Sequence, residues 1–515
     1  MVRESRFLPT PTRNVRQQEP AAAPGDNGSA RLSRNVMGSV LLGAGLLGGC
    51  ALVGPDYERP DLVLPTEWPT ELSVTMDGGE EPGMWWQRYE DPVLDSLIER
   101  AQLNNLDIEL AAARMMEARA ELGFRRADRF PSISGFIEAE RENPGLTGGS
   151  TGSEFVVAGA LSYEVDLWGR LARATEGARA NLLASAFGRD AIRLAVITDV
   201  VASYFEYRAV VDQIQITEDT IVSRQESLRL EQARFRSEEI AELPLRQAEA
   251  ELQTSRAELP ALKAAENRAR RTLAILVGDL GAVLSGLEDL GDDGLPDMDE
   301  AITDLPDVLP SDLLGRRPDI MAAEAFLVAA NADIGVARAE WFPRVDLLAI
   351  AGTGATHIGD LFTSNASLYE LFGSVTAPIL DFGRRQASVS GAEARREIAE
   401  VQYRATIMEA FRDVGDAWAL VVAADEELEA RDLEVQALIN VVAAAERRYL
   451  GGFTPYIELL DAQRALFGAQ LNRTAAARDR LIAMATLYKA LGGGWDGPMH
   501  GEADRAPDES ESSRS

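Results

Sequence analysis

The chain has 515 residues, with 83 acidic and 51 basic side chains, a formal net charge of −32 and a hydrophobic content of 46%. That charge disfavours nucleic acid as a partner, because phosphate backbones are bound by clustered Lys and Arg. The hydrophobic content fits neither a disordered chain nor a multi-helix membrane protein. Two readings of the acidity stay open here: a well-solvated helical surface, or an acidic pore lining that favours cations.

The single cysteine, Cys50, excludes an intrachain disulfide. Arg31 and Arg34 precede an apolar run at 36–47 that ends in L-G-G-C. A positive region, a short apolar run and small residues before a cut describe a secretory signal. The run is too short to span a bilayer as a helix. Cysteine at the first mature position resembles the lipobox of bacterial lipoproteins, in which the thiol carries a thioether-linked diacylglycerol. Gly48 is a less usual residue within that box. Ala51, rather than Asp, implies by the same resemblance sorting to the outer membrane. Residues 1–49 are therefore assigned to an N-terminal extension and signal peptide, and 50–91 to an irregular segment with scattered Pro and Gly.

Asp91-Pro92 is a helix start, Asp as cap and Pro in the first turn. Leu94, Leu97, Ile98, Ala101, Leu106, Leu110 and Met115 predict one helix running on to about residue 128, where Phe130-Pro131 stops it. Two segments of period two follow, 131–141 and 154–167, joined by a Gly-, Thr- and Ser-rich loop. In the second, Phe155, Val157, Leu161 and Tyr163 share one face, while Glu154, Ala158, Ser162 and Glu164 share the other. From 170 to 235 there is no proline, which predicts a single helix about 100 Å long at about 1.5 Å per residue. Pro244 opens a return helix to about 277.

The plan then repeats. G-F-R-R-A-D-R-F-P (123–131) answers G-V-A-R-A-E-W-F-P (335–343), and D-L-W-G-R (166–170) answers D-F-G-R (381–384). From Gly169 to Arg234 is 65 residues, and from Gly383 to Arg448 is again 65. Such constancy over a long gap means constant physical length, and the period is too long for a solenoid. The second copy predicts a helix at 318–339, strands at 343–352 and 371–381, a long helix at 384–449 and a return helix at 455–491. Ile407, Phe411, Val414, Trp418 and Val421 step by 4, 3, 4, 3, a coiled-coil spacing. The organisation is thus a first repeat at 92–278, a linker or equatorial segment at 279–310, a second repeat at 311–495 and a disordered acidic tail at 496–515. The fold class is mainly α with a transmembrane β-barrel, built from a duplicated strand-strand-long helix-return helix module.

Four amphipathic strands cannot close a barrel, which needs at least about eight, and open edges are not tolerated in lipid. A trimer would supply about twelve strands, with the long helices extending the barrel as a tube. G-P-D-Y-E-R-P (54–60), W-W-Q-R-Y-E-D-P-V-L-D-S-L (85–97), L-P-S-D-L-L-G-R-R-P-D-I-M-A-A-E (309–324) and L-L-D-A-Q-R (459–464) follow one another in this order along the chain. On these motifs the chain resembles TolC-type outer-membrane efflux channels, in the lipoprotein branch paired with resistance-nodulation-division pumps. The resemblance implies a homotrimer with a twelve-stranded barrel and helical tunnel in the outer membrane of a Gram-negative bacterium. It also implies a periplasmic membrane-fusion adaptor and an inner-membrane pump as partners, with passive conduction of drugs or other toxic small molecules.

In that family the helical tips close the periplasmic end and contact the adaptor. Here the tips carry Arg234, Arg236, Glu238, Glu239 and Glu242 in the first copy, and Arg448, Tyr449, Gly451, Gly452 and Thr454 in the second. Glu238-Glu239 replaces the Gly-containing turn of relatives, and Thr454 stands where some carry an aspartate. An acidic ring would come from Glu238, Glu239 and Glu242; plain solvated loop charge is the alternative. No enzyme is expected: the two histidines, His357 and His500, are far apart in sequence, and there is no phosphate-binding loop or His-assisted nucleophile. No cofactor is expected beyond the lipid on Cys50. A type I secretion channel and a lipid-anchored helical scaffold without a pore remain as alternatives.

Overall fold

The computed structural model describes residues 52–62, 64, 65, 68, 84–142, 152–288, 290, 294–296 and 310–493. Cys50, the loop after the first strand, most of 291–309 and the acidic tail lie outside the described residues. Within 50–91, expected to be irregular, Trp85–Tyr89 forms a 3-10 helix. The helix predicted from residue 92 is two helices, α1 (Pro92–Asn104) and α2 (Leu106–Ala127). Asn105 separates them. Its backbone is extended, and its Oδ1 accepts the N–H groups of Asp107 and Ile108 at 2.9 and 3.2 Å, capping α2. Its amide nitrogen also donates to the Leu276 carbonyl at 2.8 Å, a tertiary contact invisible to periodicity.

Strands β1 (Ser132–Glu142), β2 (Gly152–Val165), β3 (Arg344–Ala355) and β4 (Ser367–Thr376) form one antiparallel sheet in that order. β4 lies earlier than the predicted 371–381; Pro378, which has no N–H for a ladder, falls just beyond its end. The register aligns Ile133, Leu161, Ala349 and Leu371 in one row, and Gly135, Gly159, Ala351 and Tyr369 in the next. Ile133, Ile137, Tyr369, Leu371 and Val375 on this face are exposed. The opposite face carries Glu138, Glu140, Glu154, Glu164, Asp346 and Glu370, with Arg344 at its base. Two copies of the alternating pattern have therefore merged into one two-faced sheet.

Each hairpin feeds a long helix. β2 leads into α3 (Arg170–Arg236) and β4 into α7 (Arg384–Leu450), each of 67 residues and so about 100 Å long at about 1.5 Å per residue. The return helices α4 (Glu242–Leu276) and α8 (Tyr456–Ala490) have 35 residues each. Short α5 (Leu313–Arg316) precedes α6 (Pro318–Ala339), which matches α2 in its 22 residues. The D-L-W-G-R and D-F-G-R motifs explain the strand-to-helix turn. Gly169 and Gly383 adopt φ of +76 and +93, a region costly for residues with a Cβ. The preceding Asp166 and Asp381 accept N–H groups of Ala172 and Arg385 at 2.8 and 3.1 Å, satisfying first-turn donors.

The core lies at mid-length, where α1, α3, α6, α7 and α8 meet. Trp85 stacks on Tyr488 with centroids 5.3 Å apart, and Tyr89 packs on Phe205 while its hydroxyl donates to the Leu481 carbonyl at 2.8 Å. Ile407, Val414 and Val421 are buried here, with Phe411 and Trp418 packed beside them, as the 4-3 spacing predicts. From the segment expected to be a linker, Leu287 and Leu290 are buried in the same core, and the Gly294 carbonyl accepts from Arg208 Nε at 2.7 Å. Asp91 caps α1 through Oδ1 and accepts from Tyr204 through Oδ2 at 2.7 Å, so one carboxylate orients two helices.

The other motifs are pins as well. Arg59 makes a bidentate pair with Glu324 of α6 at 2.6 and 2.7 Å, joined by the Tyr57 hydroxyl at 3.0 Å. The G-P-D-Y-E-R-P segment thus runs along α6, and Gly54 passes so close to Gly335 that a Cβ would lie 2.5 Å from its Cα. Arg317, from R-R-P-D-I, binds Asp319 at 2.7 Å, Asp413 of α7 at 3.2 Å and the Ala490 carbonyl ending α8 at 3.2 Å. Its side chain is 11% exposed. Arg317→Met is expected to lower stability by about 3 kcal/mol, since it strands the carboxylate and carbonyl it serves. Urea unfolding followed by helical circular dichroism measures this, and an unchanged midpoint would contradict the pinning role.

Candidate functional site

The far ends of the two helical hairpins hold the residues picked out in the sequence. α3 ends at Arg236, Ser237 caps it, Glu238 takes φ of +59, and Glu239 N–H donates to the Arg234 carbonyl at 2.9 Å. α7 ends at Leu450, Gly451 caps it, Gly452 takes φ of +74, and Phe453 N–H donates to the Arg448 carbonyl at 2.9 Å. Both turns are the same left-handed closure of a helix C-terminus. The first makes it with glutamate where the second uses glycine.

The side chains divide into two groups. Arg236, Glu238, Glu239, Glu242, Arg448, Gly451 and Gly452 are exposed. Glu242 pairs with Arg246 at 2.9 Å, and Glu239 lies 3.6 Å from Arg234. Thr454 is half-buried, and its Oγ1 meets no hydrogen-bond partner among the described residues. Tyr449, by contrast, is buried. Its hydroxyl donates to Glu231 Oε2 at 2.6 Å, Arg234 lies over its ring at 4.9 Å, and Tyr456 packs against it at 5.3 Å. Burial, with Glu231 alongside, raises the Tyr449 phenol well above its ordinary pKa. Burial likewise pushes Tyr456 up to about 12.

One link across the hairpins was not legible in the sequence. Glu251 of α4 is 5% exposed and lies between two guanidiniums. Arg224 of α3 reaches its Oε1 at 2.9 Å, and Arg464 of α8 reaches its Oε2 at 2.7 Å. Arg224 also contacts the Ser255 hydroxyl and lies over Phe467 at 5.3 Å. Burial pulls the Arg224 guanidinium below its ordinary pKa, with Glu251 opposing. Arg464 belongs to L-L-D-A-Q-R, but its partner is 213 residues away, and no local pattern pairs them. Near the tips the first hairpin is therefore tied to the second by Glu231–Tyr449 and Glu251–Arg464. Side chains alone make both ties, and such links break without unfolding a helix.

Glu238→Gly is expected to stabilise the first turn by about 1 kcal/mol, because a left-handed backbone is costly for a residue with a Cβ. Slower amide exchange at residues 236–240 would register the gain; unchanged exchange would show the turn to be unstrained.

Comparison with known proteins converges on one family. Two stretches, 97–279 and 309–493, match the family described as outer membrane efflux protein, once for each repeat. The probable outer membrane lipoprotein SilC of Salmonella typhimurium is 32% identical over 87% of this chain and 97% of its own length. The probable efflux pump outer membrane protein TtgC of Pseudomonas putida is 33% identical over 89% and 95%. Among solved structures, the outer-membrane channel OprN superposes with a TM-score of 0.81 at 29% identity, covering 86% of this chain and 100% of that one. The duplicated hairpin-and-long-helix unit, the two-faced sheet and the matches to both halves agree, and the chain belongs to the outer membrane efflux protein family.

Proposed function

We propose that this chain is the outer-membrane conduit of a tripartite efflux pump, working as a homotrimer. The observation that carries the reading is the sheet: one exposed apolar face, one charge-bearing face and two edge strands, with each hairpin feeding a helix of 67 residues. Three such sheets close into a barrel of about twelve strands, within the even-numbered range of outer-membrane barrels. The apolar face then meets lipid and the acidic face lines the lumen. The helices carry the passage towards the inner membrane, where the exposed tip residues Arg236, Glu238, Glu239, Glu242 and Arg448 meet a periplasmic adaptor. The inner-membrane pump supplies the energy, and this chain conducts without catalysis.

Relatives carry different cargoes in their names: CusC of Escherichia coli is a cation efflux protein, and one TtgC of Pseudomonas putida is a toluene efflux protein. A wide lumen selects weakly, so the cargo here is a small molecule delivered by the pump. The six carboxylates of the inner face against Arg344 favour cationic solutes. In planar bilayers the protein is expected to conduct with a reversal potential on the cation side. Tyr449→Phe, which leaves Glu231 buried without its donor, is expected to raise mean conductance several-fold. A protein that inserts but never conducts would sink the channel reading and leave the scaffold; anion preference would sink the lining argument.

Lipidation of Cys50 is part of the same proposal. The mass of the mature N-terminal peptide is expected to carry a diacylglycerol in the wild type and to lose it in Cys50→Ser. An unmodified cysteine in the membrane-extracted wild type would remove the anchor from this account.

A further inference from the structure

The charged face of the sheet changes character along its strands. At the end nearest the long helices, Ser132, Ser162, Leu348 and Phe372 make one row across all four strands, and Glu164, Asp346 and Ser374 make the next. The Ser132 and Ser162 hydroxyls satisfy one another at 2.7 Å, so the first row is polar on β1 and β2 and apolar on β3 and β4. α2 ends against both rows. Phe130 N–H donates to the Ala127 carbonyl at 2.9 Å, and the chain turns at once into β1. Between them lies an open cavity of about 490 Å³, with Phe124 and Phe130 on the helix side and Leu348 and Phe372 on the sheet side. The carboxylates of Asp128, Glu164 and Asp346 also line it. Small-molecule sites commonly have about 300–1,000 Å³ and the same mixture of apolar walls with a few charged groups.

The acidic row already holds a cation, and holds it loosely. Arg344, one row further on, sets its Nε 3.2 Å from Glu164 Oε2 and 2.9 Å from Asp346 Oδ1. Glu164 is fixed independently by Arg170, at 2.9 and 2.8 Å. The Glu164 side chain is 15% exposed, whereas that of Arg344 is 59% exposed. Water competes for both partners of such an exposed pair, which is therefore easily exchanged. Asp128 makes only a distant pair with Arg125, at 3.8 Å.

We infer that this cavity is a cargo site for amphiphilic organic cations at the base of the barrel. The cationic group exchanges with Arg344 at Glu164 and Asp346, and the apolar body lies against Phe124, Leu348 and Phe372. This rests on the conduit reading above, which turns the charged face to the lumen, and deepens it by naming the class of cargo and where it is held. An aromatic face adds to the attraction for a cation beside it. A bare metal ion would gain nothing from the apolar walls. An amphiphilic anion would meet three carboxylates with Arg344 already engaged. Arg344 is thus a competitor of the cargo, and its removal strengthens binding. Loss of a residue that merely supports the pocket would weaken it.

Ethidium, an aromatic cation whose fluorescence rises on leaving water, is the probe, titrated into detergent-extracted protein against a micelle blank. Saturable binding is expected, tightened several-fold by Arg344→Gln and weakened several-fold by Asp346→Asn. Phe372→Ala, at a position already 54% exposed, is expected to weaken it too. Anilinonaphthalene sulfonate, an aromatic anion, is expected to gain nothing from Arg344→Gln. Native mass and helical circular dichroism equal to wild type establish that each variant is folded. Weaker ethidium binding in Arg344→Gln makes that arginine a support and overturns the exchange. Protein that conducts in planar bilayers but takes up no ethidium above the blank, or binds it equally in all three variants, overturns the site and leaves the conduit standing. Protein that never conducts overturns the conduit, and the cargo role falls with it.

Discussion

Along the outer edges of β1 and β4, backbone N–H and C=O groups have no strand to pair with inside the described chain. In water such groups are solvated. In hydrocarbon each unpaired one costs several kcal/mol, so spanning sheets are closed. The exposed Ile133, Ile137, Tyr369 and Leu371 place one face of this sheet in an apolar medium, and the edge deficit then demands other chains. Everything below the sheet follows from that demand, because helices that leave a closed ring of strands leave as a ring.

The four sequence motifs that flank the repeats are joints rather than reactive groups. Arg317 ties the start of α6 and the end of α8 to the middle of α7, Arg59 and Tyr57 clasp α6, and Asp91 caps one helix while orienting another. Arg317 and Asp91 put buried or half-buried charges where several backbones converge, and their partners would be stranded by their loss, while Arg59 makes its pair from the surface. Trp85, Tyr89, Phe205 and Tyr488 fill the same level with aromatic contacts. Nearer the tips the hairpins are joined by a tyrosine–glutamate hydrogen bond, a shared carboxylate and a small apolar cluster of Ala248, Tyr449, Tyr456, Leu459 and Leu460.

Acidic residues fall into classes with different physics. Glu138, Glu140, Glu154, Glu164, Asp346 and Glu370 share one face of the sheet. Those at the tips, Glu238, Glu239 and Glu242, face solvent and are available to a partner. Glu231 and Glu251 are buried and structural. A net charge of −32 does not distinguish them; their places in the fold do.

The sequence by itself determined the elements and their duplication. Helix and strand periods, the D-L-W-G-R and D-F-G-R turns and the repeated 65-residue spacing are features that a single sequence displays. It missed the break at Asn105 because Leu and Ala keep helical spacing on both sides, while the amide that makes the break also holds the end of α4. It misplaced β4 because the residues beyond Thr376 are as apolar as those within it, and only pairing with β3 marks where the strand stops. At the tips it identified the turns but not the ties, since Glu231 and Tyr449 are 218 residues apart. The tertiary structure decided which carboxylates are buried and which guanidiniums share them. Those are properties of surfaces brought together from distant parts of the chain, and no local pattern carries them.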